Sequence, residues 1–114
     1  MVLLTDVERA KLLDHGAARA RGEVRDPPPV VKLFTPDFRA VWLLTEIDPG
    51  DGDMAYGLCD AGLGFPELGK ISLSYLGSMR GPKGMQVARD LNFTASRTLS
   101  EYARIAEIAG SIID

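Results

Sequence analysis

The sequence predicts an α+β fold: an antiparallel meander sheet of four to five strands, with N- and C-terminal helices packed mainly on one face. Three observations carry that prediction. Helix-start signatures stand near both ends of the chain, β-branched and aromatic runs fill its middle, and clusters of Gly, Pro and Asp separate those runs at short intervals. Length and composition agree. The 114 residues, 46% apolar and 25% charged, suit a single domain over residues 1–114 that is large enough to bury a core.

Thr5-x-x-Glu8 opens the first element as a capping box, in which the Thr hydroxyl and the Glu carboxylate each satisfy a free amide of the first turn. Val7, Ala10, Leu13, Ala17 and Ala20 then recur at spacings of three or four, the period of an amphipathic helix. Gly16 is expected to end or break this helix as a left-handed cap, leaving a shorter turn through Ala20. Pro27-Pro28-Pro29 comes next as a stiff, extended connector that cannot be helical.

Strands are expected at Val30–Phe34 and, after a Thr35-Pro36-Asp37 turn, at Arg39–Ile47. The turn Asp48-Pro49-Gly50-Asp51-Gly52-Asp53 sends the chain back along Met54–Asp60. A Gly-rich passage, residues 62–66, leads to a fourth strand near Glu67–Ile71. Ser72 then caps a short helix over Leu73–Met79, closed by Gly81-Pro82. A weaker alternation over Val87–Phe93 gives a fifth strand. Thr98-x-x-Glu101 repeats the capping box and starts a last helix reaching Ala109 or Ile113.

Charge narrows the function classes. The net charge of −3 is unevenly spread: residues 1–39 carry +1, residues 40–79 carry −5 with Lys70 as the one base, and residues 80–114 carry +1. An acidic middle is a poor surface for a phosphate backbone, so nucleic acid would have to meet the ends of the chain. Arg19, Arg21 and Arg25 are the candidates there. Glu23 and Asp26 interleave with them, and no aromatic residue lies between for base stacking. No run of apolar residues approaches a membrane span, and the first residues lack the long apolar stretch of a signal peptide. The lone Cys59 cannot form an internal disulfide and reads as a buried small hydrophobe, in keeping with a reducing, cytoplasmic setting.

The catalytic templates fail one by one. Gly64-Phe65-Pro66-Glu67-Leu68-Gly69-Lys70 matches seven positions of a phosphate-binding loop, but Ile71 stands where Ser or Thr should hold magnesium and Glu67 sets a negative charge against the phosphates. Gly62-x-Gly64 has Glu67 in place of the third glycine of the dinucleotide fingerprint. Asp48, Asp51 and Asp53 have no Glu at the twelfth position of a calcium loop and read as turn residues. His15 is the single histidine and sits in a polar, exposed context; with one Cys it cannot complete a four-ligand zinc site. No cofactor is expected. The remaining set is carboxylates at strand ends: Glu46, Asp60, Glu67 and Asp90. Alternation puts Glu46 with Trp42 and Leu44, and Asp60 with Tyr56 and Leu58. Were these faces to coincide, the acids could share a divalent metal and support a hydrolase or nuclease.

Four passages carry a family resemblance: Val31-Lys32-Leu33-Phe34-Thr35-Pro36, Trp42-Leu43-Leu44-Thr45-Glu46-Ile47-Asp48-Pro49, Arg89-Asp90-Leu91-Asn92-Phe93 and above all the run from Gly57 through Leu58-Cys59-Asp60-Ala61-Gly62-Leu63-Gly64-Phe65-Pro66-Glu67-Leu68 to Gly69. On these residues the chain resembles the domain of unknown function 2958 family over nearly its whole length. Tyr75 departs from the acidic residue that pattern leads one to expect, which weakens the capping box begun by Ser72. The resemblance implies a bacterial accessory protein of plasmids or integrated mobile elements and supplies no activity.

The last helix offers the remaining functional signal. Glu101, Arg104, Glu107 and Ser111 form a narrow polar stripe, and the rest of the circumference is apolar, wider than packing on one sheet face demands. Tyr102, Ile105, Ile108 and Ile112 are therefore the candidate surface for a protein partner or for self-association. The expected function is a non-enzymatic interaction module, with the metal-dependent hydrolase and the arginine-based nucleic-acid binder as alternatives.

Overall fold

The computed structural model describes residues 3–114; the first two residues of the stretch read for a signal peptide lie outside them. Helix α1 (Asp6–Ala20) starts as its capping box requires. The Glu8 amide donates to Thr5 Oγ1 at 3.1 Å, and the Thr5 amide donates to Glu8 Oε1 at 2.9 Å. The expected stop at Gly16 is corrected: α1 runs through it to Ala20. Its real terminator is Gly22, at φ +84°, whose amide donates to Arg19 O while the Glu23 amide reaches Ala18 O. Gly16 has a different use. A Cβ built on it would stand 1.8 Å from Ile47 O, so the missing side chain lets the helix lie directly on a strand backbone. The expected stripe is also corrected. Val7, Ala10 and Ala20 are exposed, whereas Leu12, Gly16 and Ala18 are buried. Small residues on both sides of the helix make neighbouring stripes hard to tell apart by hydropathy.

Strands β1 (Val31–Phe34), β2 (Val41–Ile47), β3 (Met54–Asp60), β4 (Glu67–Ser72) and β5 (Ala88–Arg89) form one antiparallel sheet in the order β4-β3-β2-β1-β5. The α+β class and the antiparallel sheet agree with expectation. The fifth strand is only two residues long, because the chain turns at once where Asp90 Oδ1 accepts the Asn92 amide. Helix α2 (Leu73–Ser78) succeeds β4, with Ser72 Oγ accepting the Tyr75 amide at 3.1 Å. Helix α3 (Leu99–Ala109) closes on Gly110 in the left-handed region, φ +79°. At its start, Glu101 Oε1 accepts the Thr98 amide at 2.9 Å.

The placement of the terminal helices departs from the one-face expectation. Leu12 of α1 and Leu73 and Leu76 of α2 pack with Val31, Leu33, Trp42, Leu44, Ile47 and Ala55. Leu99, Tyr102 and Ala106 of α3 pack with Leu43 and Leu58 instead. Cross-strand partners share a face, and Leu43 pairs with Leu58 while Trp42 pairs with Cys59, so these are opposite faces of the sheet. The physical reason lies in β2, where every residue from Trp42 to Ile47 is buried. A strand apolar on both sides needs cover on both sides.

Two irregularities of β2 set the course of its C-terminal half. Its register with β3 shifts between Leu44 and Glu46, a β-bulge at Thr45. Its pairing with β1 also stops at Leu44, whose carbonyl accepts the Val30 amide. Beyond that point α1 takes the place of a strand: Gly16 abuts Ile47, and His15 Nδ1 donates to Thr45 O at 2.8 Å. A free strand edge is thus covered by a helix. His15, expected to be exposed, is half-buried in this contact.

Candidate cleft between helix α1 and the sheet

The bulge decides where Glu46 points. An unbroken strand would place it with Trp42 and Leu44, as alternation predicts. The extra residue returns it to the Leu43 side, paired with Tyr56, which pairs in turn with Lys70. Glu46, Tyr56 and Lys70 therefore form a row across three strands, on the face that α3 covers only in part. The end of α1 adds Arg19 to the row. Its Nε lies 2.5 Å from Glu46 Oε1, and its guanidinium sits over the Tyr56 ring, 5.1 Å from the centroid. Glu46 is only 8% exposed, so the ion pair neutralises a charge that burial would otherwise penalise. Together with Pro49 and Met54, these side chains line a cavity of about 200 Å³.

The four candidate carboxylates are not brought together. Asp60 shares the face of Tyr56 and Leu58, as expected, and thus also the face of Glu46. It pairs with Val41, though, at the far end of β2 from Glu46, roughly 15 Å away at the usual rise per residue. Asp60 is spent on backbone: Oδ1 accepts the Gly62 amide at 2.8 Å, and Oδ2 accepts the Ile112 amide at 3.3 Å, which ties the chain end to the sheet. Glu67 pairs with Cys59 and so lies on the opposite face. Asp90 caps the turn after β5 and stands 3.5 Å from Lys32 Nζ. Among the described residues, no three acidic, His or Cys side chains gather closely enough to hold one metal ion.

The arginines each face a carboxylate. Arg21 and Arg25 both grip Glu23, at 2.8 and 2.5 Å, and hold its carboxyl below the usual range; Arg19 holds Glu46. The turn aspartates behave as turn residues: Asp51 accepts the amides of Asp53 and Met54, and Asp53 accepts the hydroxyls of Ser72 and Ser74. These bonds favour ionised carboxyls and lower both pKa values. Burial pushes the Cys59 thiol up to about 11, the reverse of a reactive cysteine.

The apolar arc of α3 divides in two. Tyr102 is buried with its hydroxyl accepting the Ser96 amide at 3.0 Å, so it faces the core and not a partner. Ile105 and Ile112 are half-buried. Ile108 is 85% exposed. Beside α3, Phe65, Leu68, Ala103 and Glu107 line a shallow groove, and Phe65 is 78% exposed. Sequence reasoning misses Tyr56, Lys70 and Phe65 as members of any surface. Strand register alone could group the first two, and the third looks like part of a turn.

Among the described residues, no helix is long and apolar enough to cross a membrane. The chain matches neither a curated protein nor a solved structure. A family model described as a protein of unknown function, DUF2958, matches residues 3–113. With nearly its whole length covered by that match, the chain belongs to the DUF2958 family.

Proposed function

We propose that this protein is a non-enzymatic interaction module that binds a protein partner along the outer edge of β4 and the adjoining side of α3. One observation carries the reading. Strand β4 is a six-residue edge strand whose outer side no other strand pairs among the described residues; the exposed apolar side chains of Phe65 and Leu68 line the groove between it and α3, and Ile108 is exposed on α3 itself. An open edge offers backbone donors and acceptors to an added strand, and flanking apolar groups supply affinity and register. The occupant is an extended segment of another protein. The cytoplasm of a bacterium, as an accessory protein of a mobile element, is the setting that the family resemblance and the single shielded thiol support. The hydrolase and nucleic-acid readings have less support, since the carboxylates are dispersed and the arginines are engaged locally.

The test compares the native chain with Phe65→Asp and Ile108→Asp, both at exposed positions where folding should survive. Immobilised native protein should retain a defined partner from host extract, identified by mass spectrometry, and both variants should lose it. Light scattering on the purified chain separates this from self-association. A monomer that retains the same proteins with and without the substitutions would sink the reading.

A further inference from the structure

We infer that the cleft between the end of α1 and the row Glu46–Tyr56–Lys70 is a binding site for a small organic monocarboxylate. This site shares β4 with the proposed docking edge through Lys70, but uses a side chain on the sheet face and none of the backbone groups of the edge. It lies on the α3 face of the sheet, and its donors come from α1 and from the side chain of Lys70.

The ion pair leaves donors unused. Arg19 meets Glu46 through Nε, and neither Nη nitrogen donates to an acceptor among the described residues. With Nε against Glu46 and the guanidinium over Tyr56, the 61% exposed Arg19 side chain leaves the rest of its fork open at the mouth of the cleft. Lys70, across Tyr56 from Glu46, has no carboxylate within ion-pair distance among the described residues, although its segment of chain is strongly acidic. Two cations thus flank one aromatic ring at the mouth of a cavity, with donors to spare. Preorganisation is good, because Gly16 seats α1 on Ile47 with no room for a side chain and Glu46 is buried beneath the guanidinium.

Charge and volume select the ligand. Glu46 and Asp48 stand on the same wall, with Asp48 Oδ1 accepting the Gly50 amide, so a dianion such as phosphate is disfavoured against a single negative charge. Ala20, Pro49 and Met54 provide apolar wall for a hydrocarbon body. The volume of about 200 Å³ falls below that of sites for drug-sized ligands, which start near 300 Å³, and limits the body to about one ring.

The experiment titrates the full chain with benzoate, acetate and inorganic phosphate at constant ionic strength, monitored by nitrogen–proton correlation NMR. Benzoate should saturate and shift the signals of Tyr56, Lys70 and the Arg19 Nε–H, with acetate and phosphate binding more weakly. Lys70→Ala, at an exposed strand position, should weaken benzoate about tenfold, the usual scale of one charge-assisted hydrogen bond, and Lys70→Arg should restore it. Failure of benzoate to saturate, or equal affinity in Lys70→Ala, overturns the site. Phosphate binding as tightly as benzoate overturns the choice of a monocarboxylate.

Discussion

Single residues carry contacts here that their type does not advertise. Gly16 is the clearest, since any side chain must displace either α1 or β2. Gly16→Ala is expected to cost about 3 kcal/mol in urea unfolding, far more than the usual helix-interior change, which favours alanine. Asp37 is a second case. Its Oδ2 accepts the Lys83 and Met85 amides at 2.8 and 3.2 Å, and so holds down the loop before β5, while its Oδ1 is buried without a partner among the described residues. Asp37→Ala should therefore cost about 2 kcal/mol and speed amide hydrogen exchange at residues 83–85. Cys59 gives a third, pH-dependent outcome. Its thiol titrates near 11 when folded and near its ordinary value of 9 when unfolded. The unfolded chain alone loses a proton between those values, so stability should fall as pH rises from 9 toward 11. Replacing Cys59 by Val should flatten that part of the profile, and the native thiol should alkylate slowly at mildly alkaline pH.

Helix ends and helix faces are governed by different physics, and the two are unequally legible. The capping boxes Thr5–Glu8 and Thr98–Glu101 are local chemistry within four residues, and both can be read from the sequence. Thr5→Ala should cost about 1 kcal/mol, measured as a shift in thermal midpoint. The start of α3 is held from outside as well, by Asp26, which accepts the Ser100 amide and hydroxyl and is acidified mainly by that hydroxyl. Faces depend on neighbours. The wide apolar arc of α3 is visible in the sequence, but which part turns inward is set by the sheet, which takes Leu99, Tyr102 and Ala106 and leaves Ile108 outside. In α1 the sheet takes Leu12 and Gly16, with Leu13 of the expected stripe packed partly against it and Val7, Ala10 and Ala20 left exposed.

The whole molecule is a sheet covered on both faces, with Leu12 and the α2 leucines on one side and α3 on the other. Because β2 belongs to both apolar clusters, we propose that residues 1–114 unfold as one unit. A single calorimetric transition, with equal calorimetric and van't Hoff enthalpies, is the expected outcome. Acid should weaken this unit. Glu23, Asp26, Asp51, Asp53 and Glu101 all have carboxyls held below their ordinary values by hydrogen bonds or arginines. Each contributes stability above that ordinary value, and the contribution is lost as pH falls through the lower folded-state value, so urea midpoints should drop below about pH 4.5.

By itself the sequence determined the α+β class, the strand segments, the turns, both capped helix starts and the family resemblance. All but the last of these rest on propensities and hydrogen bonds between residues close along the chain; the resemblance rests on matched residue passages. Only the tertiary structure decided the rest: the bulge at Thr45 that moves Glu46 to the Tyr56 side, the seating of α1 on β2 through Gly16, and the separation of Glu46 from Asp60 and Glu67. These depend on register, and a shift of one residue reverses every face beyond it. The cleft joins residues 19, 46, 56 and 70, which are far apart in sequence and adjacent only once three strands and a helix have paired.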